Sequence, residues 1–147
     1  IESAVKPLFE SESVEITNLM SEIITQEEHE DPAEVKVVVD LMNNALYFSR
    51  EPIPSRKKGV SDVRMLKQVC IIPFRRNFLL KYNTMSQTPL EIIESVDMNR
   101  ILENGIKIKM VMVTEEIYSV DTIEDLEKVN VKMKQDKLSI NYLNKQA

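Results

Sequence analysis

Residues Val35 to Arg50 read VKVVVDLMNNALYFSR, and the class of the fold turns on them. VKVVVD is β-branched, ALYF is aromatic and apolar, and such side chains suit a pleated, half-buried surface. Asparagine tolerates positive φ, so Asn43-Asn44 predicts a turn that folds the two runs into a hairpin. The second run delivers Ser49 and Arg50 to a loop stiffened by Pro52 and Pro54. Proline cannot donate to a sheet ladder, so the strand ends there. A guanidinium held at a strand end either aims a fixed planar cation at an anion or sits in water, and the segment alone leaves both open.

Working outward, a helix is expected over Ile1 to Phe9, a strand over Ile16 to Ile23, and a helix near Asp31 with Pro32 in its first turn. A basic loop, Glu51 to Lys67, lacks periodicity and is expected to be mobile. QVCIIPF (68–74) reads as a buried strand and RRNFLLKY (75–82) as a short helix. TPLEIIESVDMNRILENG (88–105) reads as one helix. Thr88 caps it, Pro89 takes its first position, Glu91 completes a capping box and Gly105 closes it. Leu90, Ile93, Val96 (or Asp97), Ile101 and nearby Ile92 form its expected apolar face. IKIKMVMV (106–113) alternates as a strand, and 119–135 closes with a helix before a fraying tail at 137–147. Strands and helices alternate irregularly, so the class is α/β.

Composition excludes several chemistries. The only glycines, Gly59 and Gly105, cannot make either glycine-rich phosphate-binding motif. One histidine, His29 in an acidic run that reads as solvated surface, and one cysteine, Cys70, which reads as a buried small hydrophobe, do not make a zinc site of the usual N/S type. They also leave little from which to build a nucleophile system. Any metal is expected to be a hard cation on carboxylates, magnesium above all. A single cysteine excludes an intrachain disulfide framework, and with no apolar run of about 18 residues and no signal pattern the expected setting is cytoplasmic, with no membrane partner.

Charge is unevenly spread. Residues 1–34 carry one base against ten acids, and 50–76 carry eight bases against two acids. The basic segment suggests an anionic partner or substrate, or a solvated loop. Nucleic acid is disfavoured by the overall acidity and by Phe74 being the only aromatic there.

Three blocks, VKVVVDLMNNALYFSREPIPS, TPLEIIESVDMNRILENGIKIKMV and SVDTIEDLEKV, with FRRNFLLKY between them, resemble the C-terminal part of the 3-deoxy-manno-octulosonate (Kdo) cytidylyltransferases, in a wider group with the sialic-acid cytidylyltransferases. The resemblance implies a mixed-sheet, Rossmann-like nucleotidyltransferase fold, of which residues 1–147 are a single partial domain. It implies transfer of CMP from CTP to an acidic sugar with release of pyrophosphate and a requirement for Mg2+, in lipopolysaccharide biosynthesis. It also implies a homodimer that uses the hairpin around 35–50. The family's arginine-lysine loop and Gln-Gly-Asp-Glu-Pro motif are not in the chain. The chain alone is therefore expected to be inactive, working with a separate N-terminal half if one exists.

By the same resemblance Arg50 lies at the acidic-sugar site, where a bidentate donor suits a carboxylate. Gln68 and Asp97 occupy sugar-site positions where the family typically has histidine and glutamate, and Ile72 and Met98 replace a tyrosine and a glutamine. These departures bear on which acidic sugar is taken. Asp121 matches a magnesium-binding aspartate, and Asp121 to Glu124 also reads as a helix cap, so both roles stand. A non-catalytic assembly module that keeps the same fold is the alternative.

Overall fold

The computed structural model describes residues 1–59, 63–114, 118, 120 and 122–136. The chain divides into two compact units, 1–114 and 115–147.

In the first unit, helix α1 (Glu2–Glu10) precedes strand β1 (Thr17–Glu22), and the Thr17 hydroxyl donates to the Ala4 carbonyl at 2.5 Å. Helix α2 (Gln26–Glu30) is capped by Thr25, whose hydroxyl accepts from the Glu28 N–H. It ends at Asp31, where the sequence pattern placed a helix start. Strands β2 (Lys36–Val39) and β3 (Ala45–Ser49) form the expected hairpin. Its turn is built by the Asp40 carboxylate, which accepts from the N–H groups of Met42 and Asn44 and from the Asn44 amide, while Asn43 takes a φ of 57°. Strand β4 (Leu66–Val69) follows, then α3 (Arg76–Tyr82), α4 (Pro89–Glu94), α5 (Met98–Glu103) and β5 (Lys109–Met112).

The five strands form one mixed sheet in the order β3-β2-β4-β1-β5, with only β1 and β5 parallel. Its main core holds Ile16, Met20, Val37, Phe48, Leu66, Phe78, Met98, Ile101, Ile108 and Met110. A smaller cluster of Leu19, Val69 and Val113 packs with Ala4 of α1.

Neither outer strand is left bare. The Ala45 N–H donates to the Ile108 carbonyl at 2.9 Å and the Met110 N–H to the Asn43 carbonyl at 2.8 Å, so the hairpin turn reaches back to β5. At Phe48 the buried Asn99 side chain stands in for another strand. Its oxygen accepts from the Phe48 N–H at 3.3 Å, and its nitrogen donates to the Phe48 carbonyl at 3.0 Å. Exposed sheet edges invite pairing with other chains, and an internal amide removes that opportunity here. Asn99→Ala leaves both groups of a fully buried residue unsatisfied, and a loss of about 2 kcal/mol in urea denaturation is expected. A loss below the scatter of the measurement would mean that water replaces the amide.

Several expectations are corrected. The single helix over 88–105 is two helices: Ser95 adopts a left-handed conformation (φ 53°, ψ 45°) and breaks it. The apolar face assigned to that helix also fails in its first half, because Leu90 and Ile93 are exposed whereas Val96 and Ile101 are buried. Only Leu66–Val69 of the region around QVCIIPF is strand, and Cys70 is exposed rather than buried. His29 is buried instead of solvated, because its ring reaches the Ile53 carbonyl at 3.1 Å.

The second unit contains α6 (Ile123–Met133), capped by Thr122, whose hydroxyl accepts from the Asp125 N–H. The capping role weighed for Asp121 thus falls to Thr122. Asp121 itself and the tail at 137–147 lie outside the described residues.

Candidate functional site

The site is built around the end of β3. The Glu94 carboxylate at the end of α4 accepts from the Tyr47 hydroxyl at 2.7 Å, the Ser49 hydroxyl at 2.9 Å and the Arg50 N–H at 2.8 Å. Burial works against the Glu94 charge, but these donors outweigh it and hold the carboxyl below its ordinary range. Burial, reinforced by the bond to Glu94, pushes the Tyr47 phenol up to about 12. This pull on Glu94 fixes the end of α4 against the sheet, just where Ser95 breaks the helix.

Arg50 closes the same junction. Its Nε donates to the Glu94 carbonyl at 2.8 Å, one terminal nitrogen to the Ser95 carbonyl at 3.3 Å, and the other to the Pro32 carbonyl at 2.8 Å. A cation on the last carbonyls of a helix complements its dipole. Each terminal nitrogen keeps a further N–H, so the fork is held in place with donors still to offer. Asp97, two residues past Ser95 at the start of α5, is exposed. The Asp97 carbonyl accepts from the Tyr82 hydroxyl at 3.5 Å, and the Asp97 charge acts on Tyr82 and Arg100.

Gln68 stands elsewhere, on β4, and donates at 2.6 Å to the side-chain oxygen of Asn18 on β1. Among the described residues no group of three or more His, Cys, Asp or Glu side chains is placed to hold a metal ion.

Residues 25–34 strap this region to the sheet. Lys67 bonds Glu28 at 2.6 Å and Glu34 at 3.0 Å, while the fully buried Lys36 beside it donates to the Asp31 carbonyl at 2.7 Å. Burial opposes the Lys67 charge, but the two glutamates outweigh it and raise its pKa. At Lys36 burial prevails over Asp31, Glu34 and Glu51, and the pKa falls. The strap also supplies the Pro32 carbonyl to Arg50 and His29 to the loop at Ile53. Sequence reasoning missed Glu94, Asn18 and the strap. The one available signal was an asparagine, Asn18, inside an apolar strand run; the pairing that sets Lys36 opposite Lys67 is a property of the folded sheet.

A family model described as "Cytidylyltransferase" matches residues 1–108. The chain belongs to the cytidylyltransferase family. Similar curated relatives of this cytidylyltransferase chain include the 3-deoxy-manno-octulosonate cytidylyltransferase of Fusobacterium nucleatum subsp. nucleatum, 36% identical over 140 residues covering 95% of this chain and 57% of that protein. The protein of the same description from Geotalea uraniireducens is 40% identical over 144 residues, covering 91% and 57%. A solved structure of CMP:2-keto-3-deoxy-manno-octonic acid synthetase complexed with CTP superposes with a TM-score of 0.84 at 34% identity, covering 91% of this chain and 55% of that one. The cytidylyltransferase chain thus spans 57% of the length of these two curated relatives. The mixed α/β nucleotidyltransferase-like fold expected from the sequence is the one observed. No helix among the described residues is long and apolar enough to cross a membrane.

Proposed function

We propose that this chain is the sugar-facing, C-terminal half of a cytidylyltransferase that transfers CMP from CTP to 3-deoxy-manno-octulosonate or a related acidic sugar, releasing pyrophosphate. The observation that carries the reading is the Arg50 fork, pinned through three N–H groups to Glu94, Ser95 and Pro32 while both terminal nitrogens keep a donor. A fork held in that way suits a sugar carboxylate. The exposed Asp97 accepts sugar hydroxyls, and Gln68 adds a polar contact from β4. The descriptions of the curated relatives support the substrate class.

Mg2+ supplies charge neutralisation at the triphosphate when bound. Asp121 is its proposed ligand from this chain. In this reading the N-terminal half, on a separate chain or not, supplies the remaining ligands. The hairpin, with Leu41, Met42 and Leu46 exposed on it, is the proposed homodimer contact, and the proposed setting is cytoplasmic. Alone, the chain is inactive in this reading.

Pyrophosphate release tests the assignment. The purified chain with CTP, Mg2+ and 3-deoxy-manno-octulosonate is expected to release none above background, and adding a polypeptide that carries the family's nucleotide motifs is expected to restore turnover. Turnover by the chain alone would sink the inactivity claim. Failure of complementation, with both chains folded, favours the assembly module.

A further inference from the structure

Asn18 is a fully buried polar residue in the middle of a core strand, and its bonds have a single consistent orientation. One side-chain atom lies 2.7 Å from the Val69 carbonyl and 2.9 Å from the Leu19 carbonyl. Carbonyl oxygens only accept, so that atom is the amide nitrogen, and the other is the oxygen. The Gln68 atom 2.6 Å from that oxygen must in turn donate, so it is the Gln68 nitrogen. The amide of Gln68 is thereby oriented from within the sheet. Its oxygen bonds to nothing among the described residues, and the residue is half-buried rather than enclosed.

We propose that Asn18 is a positioning residue that fixes the Gln68 amide with its carbonyl oxygen presented as an acceptor for a substrate hydroxyl. The proposal rests on the reading that places Gln68 at the sugar site. A free glutamine amide rotates and offers donor or acceptor with little preference, whereas this one is committed. A polyhydroxylated sugar with an O–H at this position is accepted, and an analogue lacking that hydroxyl leaves the acceptor unpaired.

Two measurements on the full chain test it. Without ligand, one Gln68 side-chain amide proton is expected to exchange with solvent about tenfold more slowly than its twin. Asn18→Thr keeps a hydroxyl for the Val69 carbonyl but is too short to hold Gln68, and it is expected to abolish that difference. With 3-deoxy-manno-octulosonate as probe, Asn18→Thr and Gln68→Met are each expected to weaken binding about fivefold, and the double variant no more than Gln68→Met alone. Exchange protection that survives Asn18→Thr, or losses that simply add, overturns the role of Asn18. Unchanged sugar binding in Gln68→Met, with the protection intact in the parent chain, overturns instead the acceptor role and the sugar-site reading of Gln68. Because the exchange measurement needs no ligand, the two failures are distinguishable. Gln68→Met also leaves the bonds of Asn18 to the strand carbonyls in place, which guards against a variant that merely unfolds.

Discussion

Arg100→Met is expected to destabilise the chain by about 3–5 kcal/mol at neutral pH, because it strands a buried carboxylate. In the parent, Arg100 is bidentate to Glu91, with Nε at 2.7 Å from one oxygen and a terminal nitrogen on the other. The Glu91 side chain is 6% exposed and that of Arg100 is 15% exposed. The guanidinium also reaches the Met85 carbonyl and lies 4.7 Å from the centre of the Tyr82 ring. The bond from Arg100 is the main reason that the Glu91 carboxyl sits below its ordinary value of 4.5. A depressed folded pKa means that the pair's contribution is fully present above the unfolded value and is lost as pH falls through the folded one. In the variant the unpaired carboxylate favours protonation, so its penalty shrinks on acidification. Urea denaturation at pH 7 and near pH 4 is therefore expected to show a gap between parent and variant that narrows at the lower pH. An equal loss at both would mean that lost packing on Tyr82, and not charge, sets the effect. Glu91→Gln combined with Arg100→Met is expected to recover part of the loss.

Arg50→Lys is expected to cost about 2–3 kcal/mol, despite keeping the charge, because an ammonium does not span the Glu94, Ser95 and Pro32 carbonyls together. Solvent screening of the partly exposed guanidinium limits the cost to that range. Affinity for 3-deoxy-manno-octulosonate is expected to fall by about tenfold or more, since the planar fork for a carboxylate is gone. The two effects separate by measurement. Denaturation reads the pinning of the α4–α5 junction, and a titration under conditions where the variant is fully folded reads the carboxylate contact. Lost stability with unchanged affinity would leave Arg50 as a helix-capping residue only and withdraw it from the sugar site.

The hairpin and the flanking strands were legible because alternation, β-branching and a turn asparagine all agree there. α3 and the capping box of α4 were legible for the same reason. The break at Ser95 was not, since nothing local to PLEIIESVDMNRILENG opposes a continuous helix. It arises from Tyr47, Ser49 and Arg50 holding Glu94 across more than forty residues of sequence. His29 misled for a related reason. Its acidic neighbours describe a wet surface, but its ring is taken up by the carbonyl of Ile53, on a loop that composition does not place nearby. The basic segment 50–76 was read as a patch for an anion or a solvated loop. The fold uses Arg75 internally, on the carbonyls of Leu8, Ser11 and Val14, and Lys67 on the strap. Of the residues suggested by the family blocks, Arg50 closes the junction of β3 and α4, Asp97 begins α5 and Gln68 stands on β4, while the partner that orients Gln68 was visible only in three dimensions.

The return of the hairpin turn to β5 bears on the order in which this chain completes itself during synthesis. The segment 35–50 leaves the ribosome well before residues 108–112 exist, and until they arrive the turn carbonyl of Asn43 and the N–H of Ala45 have no partner from β5. The last strand of the sheet therefore does two jobs at once, closing on β1 on one side and sealing the first-made hairpin on the other. A nascent or prematurely ended chain that lacks it presents open strand to its neighbours, so the window of exposure to misassembly is set by the time needed to translate from Asn43 to Met110.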